Sequence, residues 1–323
     1  MRTNSGLRLT AKSIATLVAA TLVLALSACA PTTAHPKTAA FLQSKFTAKG
    51  VEGFSAGKID FGFTLEALIQ ALASGASPVA NVKAAEESIW LQTKITDPSG
   101  YLIDADGGLK TGLAGKALVF GKLYGVMGDQ GYVHVQQALE AAVATSGALA
   151  GSNGNTFDYG WAVLGLTAAG SAKANIVATK LASLLRSDGG FGSDLSSSIT
   201  TSSADATGIA LMAFAAAKGK GDSAQEAAKA AAEKSAIAWL TKNAVKGNHF
   251  EAWGDVDVNG TAYATMGLKA ESKNVSAYRT WLDSRIAKDG GLITPWSNKA
   301  GDTFATIQAL LVLDGRSYVD LVK

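Results

Sequence analysis

An all-α fold, an α6/α6 toroid of six helical hairpins in two concentric rings, is what this sequence predicts. Three observations carry the prediction. Apolar helices begin at Asp60, Leu109, Asp158, Asp205, Asn259 and Asp302, a spacing of about 48 residues, and such periodicity marks a repeat architecture. A helix of different character precedes each of them, with one charged face and one apolar stripe. The sixth apolar helix is as apolar as the others, which favours a closed ring over an open stack needing polar caps at its ends.

The amphipathic helices are expected over 38–46, 82–95, 133–146, 174–186, 224–243 and 276–287. The fifth shows the pattern best: Glu226, Lys229, Glu233, Lys234 and Lys242 surround a stripe of Ala236, Ile237, Trp239 and Leu240. By contrast, 206–217 carries no charge, so that helix is expected to be buried on nearly every side and to belong to the inner ring. Gly160, Gly165, Gly208 and Gly267 lie inside apolar helices, where glycine costs about 1 kcal/mol relative to alanine, so close helix–helix approach is the expected reason for keeping them. The outer-to-inner connections, 49–59, 96–108, 151–157, 187–204, 247–258 and 289–301, are polar and glycine-rich. In a toroid they share one rim, where variable loops on a rigid frame carry function.

The chain opens with a processing segment. Arg2, Arg8 and Lys12 form a basic region, 13–26 is a short apolar run, and Leu26-Ser27-Ala28-Cys29 matches the lipobox of bacterial lipoproteins. The expected organisation is a signal peptide over 1–28, a tether over 29–37 from a lipidated Cys29, and a single toroid domain over 38–323. The resulting location is extracytoplasmic, anchored to the cell membrane. Of 29 Lys and Arg residues, the three basic ones fall in the signal and no acid does, so the mature chain carries 26 of each sign. A neutral body argues against a nucleic-acid partner. Cys29 is the single cysteine, which excludes a disulfide framework and a thiolate metal cluster. No metal or cofactor is expected, and the chain is expected to be monomeric.

Trp-Leu pairs (Trp90-Leu91, Trp239-Leu240, Trp281-Leu282), the D-G-G-F-G turn at 188–192 and an Asp opening an apolar helix recur together. In these features the chain resembles the squalene-cyclase and protein-prenyltransferase repeat family over about residues 38–315. That resemblance implies the toroid and several mutually exclusive functions, cobalamin carriage among them. The zinc site of prenyltransferases would fall on 259–261 and 302–306, where Asn259, Thr261 and Ala305 supply no ligand of that set. The catalytic acid of class II terpene cyclases would fall on 257–262 or 203–207. Asn259 stands at the acid position of the first, and Asp205 lacks its flanking carboxylates in the second.

The expectation is therefore a non-catalytic toroid that binds a small molecule, apolar or cobalamin-like, or a protein partner at the rim. The enzyme alternative is a terpene-cyclase-like or glycosidase-like site of non-standard residues, drawing on Asp158, Asp205, Asp255 and Asp257. Candidate ligand contacts are Tyr159, Trp161, Trp253, Tyr263, Trp296 and Phe304, with Asn259 and Asp302 beside the four acids. Trp253 and Trp296 rank first among the aromatics because they lie in loops. Asp60, Asp158, Asp205, Asn259 and Asp302 are also expected to cap their helices by accepting backbone N–H groups.

Overall fold

The computed structural model describes residues 32–94, 100–150, 155–194 and 201–323. Residues 1–28 and Cys29, which carry the export expectation, lie outside these. No helix among the described residues is long and apolar enough to cross a membrane.

The chain is mostly helical. The amphipathic helices are α1 (Pro36–Ser44), α3 (Ala80–Lys94), α5 (Gln130–Ala142), α7 (Lys173–Ala182), α9 (Ser223–Asn243) and α11 (Ser276–Asp283). The apolar ones are α2 (Phe61–Ala73), α4 (Thr111–Tyr124), α6 (Thr156–Ala168), α8 (Ala204–Ala217), α10 (Val258–Ala270) and α12 (Thr303–Leu313). A short helix, α13 (Val319–Val322), ends the chain. The apolar helices touch one another in cyclic order, α2 to α4, α6, α8, α10, α12 and back to α2, and each amphipathic helix packs against at least one of them. Every residue of α8 is buried except Asp205. In α9 only Lys229, Ala232, Ala236 and Leu240 are buried, one stripe at helical spacing.

Glycines set the closest approaches. A methyl group on Gly165 would stand 2.6 Å from Gly115 Cα, and one on Gly267 would stand 2.9 Å from Gly208 Cα. Backbone-to-backbone packing of α4 on α6 and of α8 on α10 offsets the poor helix propensity of these residues.

The rim contains two small hairpins, β1 (Phe46–Thr47) with β2 (Gly50–Val51) and β3 (Phe250–Ala252) with β4 (Asp255–Asp257). A recurring device ties the loops to the inner helices. Asp60, Asn155, Asp257 and Asp302 are side-chain N-caps, accepting from Phe63, Asp158, Gly260 and Ala305 N–H at 2.8–2.9 Å. Four residues beyond the start, a buried Thr hydroxyl accepts an N–H from the preceding loop. Thr64 accepts from Val51, Thr207 from Phe191, Thr261 from Phe250 and Thr306 from Leu292, at 2.9–3.0 Å. Three of these hydroxyls in turn donate to the carbonyl of the capping Asp. The Asp-Ala-Thr and Thr-Ala fragments that resemble a cyclase motif are, in this chain, loop clamps.

The caps correct the sequence expectation for Asp158, Asp205 and Asn259. The cap positions fall upstream, at Asn155, Ser203 and Asp257. Each of the three expected caps therefore sits two or three residues beyond the actual cap, turned by about 100° per residue from the cap direction.

Residues 317–323 hold the end of the toroid away from the rim. α13 packs on α4, α6 and α8, and Tyr318 is fully buried. Lys122, near the end of α4, donates to the Val322 carbonyl at 2.7 Å, and Arg316 donates to the Ala73 carbonyl at 2.6 Å.

Candidate ligand-binding site

The first two turns of the six inner helices surround a cavity of about 700 Å³. Its lining follows helical spacing. An upper layer comes from the first helical turn: Phe63, Leu113, Phe157 with Asp158, Asp205, Asn259 and Phe304. One turn deeper stand Glu66, Lys116, Trp161, Tyr263 and Gln308. Asn155 and Asp194 join the upper layer from the rim loops.

The deeper layer is a hydrogen-bonded floor. Glu66 is 1% exposed; its Oε1 accepts from the Tyr263 hydroxyl at 2.6 Å and the Tyr318 hydroxyl at 2.8 Å, and its Oε2 pairs with Lys116 Nζ at 2.6 Å. Gln70 Nε2 donates to the Tyr318 hydroxyl at 2.8 Å, while its Oε1 accepts the Leu311 N–H. Burial, and then the negative charge of Glu66, hold both tyrosines well above the usual phenol range, so they remain donors. Lys116 also lies over the Trp161 ring, 5.0 Å from its centroid.

The upper layer is mixed. Phe63 stacks on Phe304 at 4.6 Å, and Phe157 meets Tyr263 edge-on at 5.6 Å. Asn259 Nδ2 donates to Gln308 Oε1 at 2.8 Å, and Asn155 Nδ2 donates to Asp158 Oδ2 at 2.8 Å. The Ser203 hydroxyl donates to Asp205 Oδ1. Beside the cavity, burial and then the Asp205 charge push the Asp257 carboxyl up to about 6, against the N–H of Gly260.

Seven of the sequence-predicted residues thus come together: Asp158, Trp161, Asp205, Asn259, Tyr263 and Phe304 line the cavity and Asp257 stands at its edge. Others do not. Trp253 is fully exposed at the tip of the β3–β4 hairpin, in a two-residue turn where Trp253 and Gly254 both have positive φ (53° and 86°). The Trp253 ring therefore stands in water and is not among the residues that line the cavity. Asp255 is exposed on β4. Tyr159 is buried with its hydroxyl 3.4 Å from the Leu149 N–H, in the place the clamp threonines take in other repeats. Trp296 and Asp302 line a separate groove, Trp296 donating through Nε1 to Asp302 Oδ2 at 3.0 Å. Glu66, Lys116 and Gln308 line the cavity without being among the sequence-predicted residues. Their signal was a charged or amide side chain inside an otherwise apolar helix, where burial demands a partner.

No protein-family model matches the chain, and no curated protein matches it. Solved structures do. A type II terpene cyclase, MstE from Scytonema, superposes with a TM-score of 0.60 at 16% identity, over 87% of this chain and 96% of that one. An unsaturated glucuronyl hydrolase from Streptococcus agalactiae superposes with a TM-score of 0.53 at 10% identity, over 98% of this chain and 92% of that one. A protein from Actinoplanes gives 0.56 at 16% identity, over 89% and 98%. At such identities the likeness is one of fold, and it is the α/α toroid that this chain shares with terpene cyclases and glycoside-processing enzymes.

Proposed function

We propose that this chain is a non-catalytic small-molecule-binding toroid of six hairpins in two rings, tethered outside the cell membrane through Cys29. The observation that carries the binding role is the axial cavity, which combines aromatic walls with convergent polar groups, the usual design of a ligand site. Its lining narrows the ligand. Glu66 and Lys116 pair with each other, Asn259, Gln308 and Tyr263 add amide and hydroxyl groups, and Phe63, Phe157, Trp161 and Phe304 add aromatic faces. This mixture favours a molecule that carries both apolar faces and hydrogen-bonding groups, corrinoids included.

The test is mass spectrometry of what co-purifies with the full chain from its native membranes. A bound molecule is expected, released unchanged, and lost at least tenfold when Asn259→Trp fills the cavity. Equal retention by that variant would sink the axial site. For the anchor, Cys29→Ala is expected to abolish lipid labelling and release the protein from membranes; unchanged labelling overturns it.

One observation favours a second reading, an acid-catalysing enzyme. Asp257, raised to about 6 and coupled to the Asp205 charge, resembles a general acid beside a second carboxylate. Both fold neighbours named above as enzymes make that chemistry a fair comparison. Turnover of the co-purified molecule that disappears in Asp205→Asn, with the fold retained, would establish this reading over the first.

A further inference from the structure

The axial cavity has a neighbour. A groove of about 600 Å³ runs between the β1–β2 hairpin and residues 296–304, and Phe63 and Phe304 line both spaces. The stacked pair is the partition between them. On the groove side, Phe54 meets both rings edge-on, 5.1 Å from Phe63 and 5.5 Å from Phe304. Phe54 is 85% exposed and Trp296 is 62% exposed, two of the few large apolar side chains left in water. Trp296 is fixed by its indole N–H on Asp302, which orients the ring without covering its faces.

We propose that this groove is a second subsite for the ligand of the axial cavity, and that the ligand is a neutral oligosaccharide. The proposal rests on the axial cavity being a small-molecule site. Continuity is the first argument: one chain lying over the edge of the Phe63–Phe304 stack reaches both spaces. Chemistry is the second. Both spaces interleave aromatic faces with carboxylates and hydroxyls; Ser44, Thr47, Glu52 and Ser297 stand beside Lys45 in the groove, and the Asn259–Gln308 amide pair is added in the cavity. A hydrocarbon chain would strip water from these polar groups and give nothing back. A sugar ring offers apolar C–H faces to the aromatics, while each hydroxyl both donates and accepts, so it satisfies amide and carboxylate together. A formal positive charge is not needed to fill either space.

The experiment is calorimetric titration of the full chain with neutral hexasaccharides of glucose, mannose and N-acetylglucosamine, their monosaccharides, and geranylgeraniol. One hexasaccharide is expected to bind at least tenfold more tightly than its monosaccharide. Phe54→Ala/Trp296→Ala, with folding checked by circular dichroism, is expected to erase that difference and keep monosaccharide affinity within twofold. Asn259→Trp is expected to lose both sugars. A hexasaccharide advantage that survives the double variant overturns the groove subsite and leaves the axial site standing. Binding of geranylgeraniol but of no sugar overturns the ligand class alone, whereas loss of the co-purified molecule's dependence on Asn259 removes the axial reading beneath it.

Discussion

The Tyr318 hydroxyl donates to Glu66 Oε1 at 2.8 Å, joining the last residues of the chain to the first inner helix across 252 positions. Through this bond the C-terminal segment forms part of the cavity floor. Removing the hydroxyl leaves Glu66 with one phenol fewer and Gln70 Nε2 without its acceptor. Tyr318→Phe is expected to lower stability by about 2 kcal/mol, the scale for a hydrogen bond to a charged group, read as a lower urea midpoint with an unchanged slope.

Lys116 faces the same carboxylate from the other side. Lys116→Met would leave a buried Glu66 charge without its cation, a change that costs about 3 kcal/mol or more. Adding Glu66→Gln should recover part of the loss, because a neutral amide still accepts from Tyr263 and Tyr318. A double variant no more stable than Lys116→Met would show that the ion pair is not the source. Chemical denaturation of the three proteins decides it.

Glycine crossings predict a different kind of damage. A methyl on Gly208 would run into the Tyr263 carbonyl of α10, so Gly208→Ala must push α8 and α10 apart despite its better helix propensity. The expected net loss is about 1–3 kcal/mol, the scale of overpacking. Gly219→Ala, with open space around it but φ +73°, should cost less. Comparing the two melting temperatures separates packing from backbone strain.

Buried carboxyls set the pH response. Burial pushes Glu86 and Glu271 up to about 7, with Glu233 adding to Glu271, and Asp257 up to about 6. Each binds its proton more tightly folded than unfolded, so the stability they contribute is present below about pH 4 and is lost as pH rises through 6–7. Glu226 acts oppositely: despite burial, hydrogen bonds from Lys229, Gly219 and Gly221 lower it to about 2. Its contribution disappears as pH falls from about 4.5 toward 2. The melting temperature is expected to be higher at pH 5 than at pH 8, and Glu86→Gln should flatten that difference.

Much of the architecture was legible because periodicity is a local property. Uncharged helices such as 206–217 have no wet face to offer, and charged-stripe helices such as 224–243 have one, so each class announces how much of it is buried. The site was legible only in part. Asp158, Asp205 and Asn259 are legible as ligand contacts but equally as caps, a role that falls to Asn155, Ser203 and Asp257, while Tyr159 and Trp253 read as ligand contacts that a loop clamp and a hairpin tip withhold.

By itself the sequence determined the repeat, the two helix classes, the close glycine crossings and the acids gathered at one rim. Tertiary structure decided which polar groups cap and which face the axis. A cap is fixed by where the preceding loop enters the helix, and a shift of one residue turns a side chain by about 100°. It alone also placed Tyr318 beneath Glu66. That contact joins segments 252 residues apart, and no local pattern encodes a partner so distant.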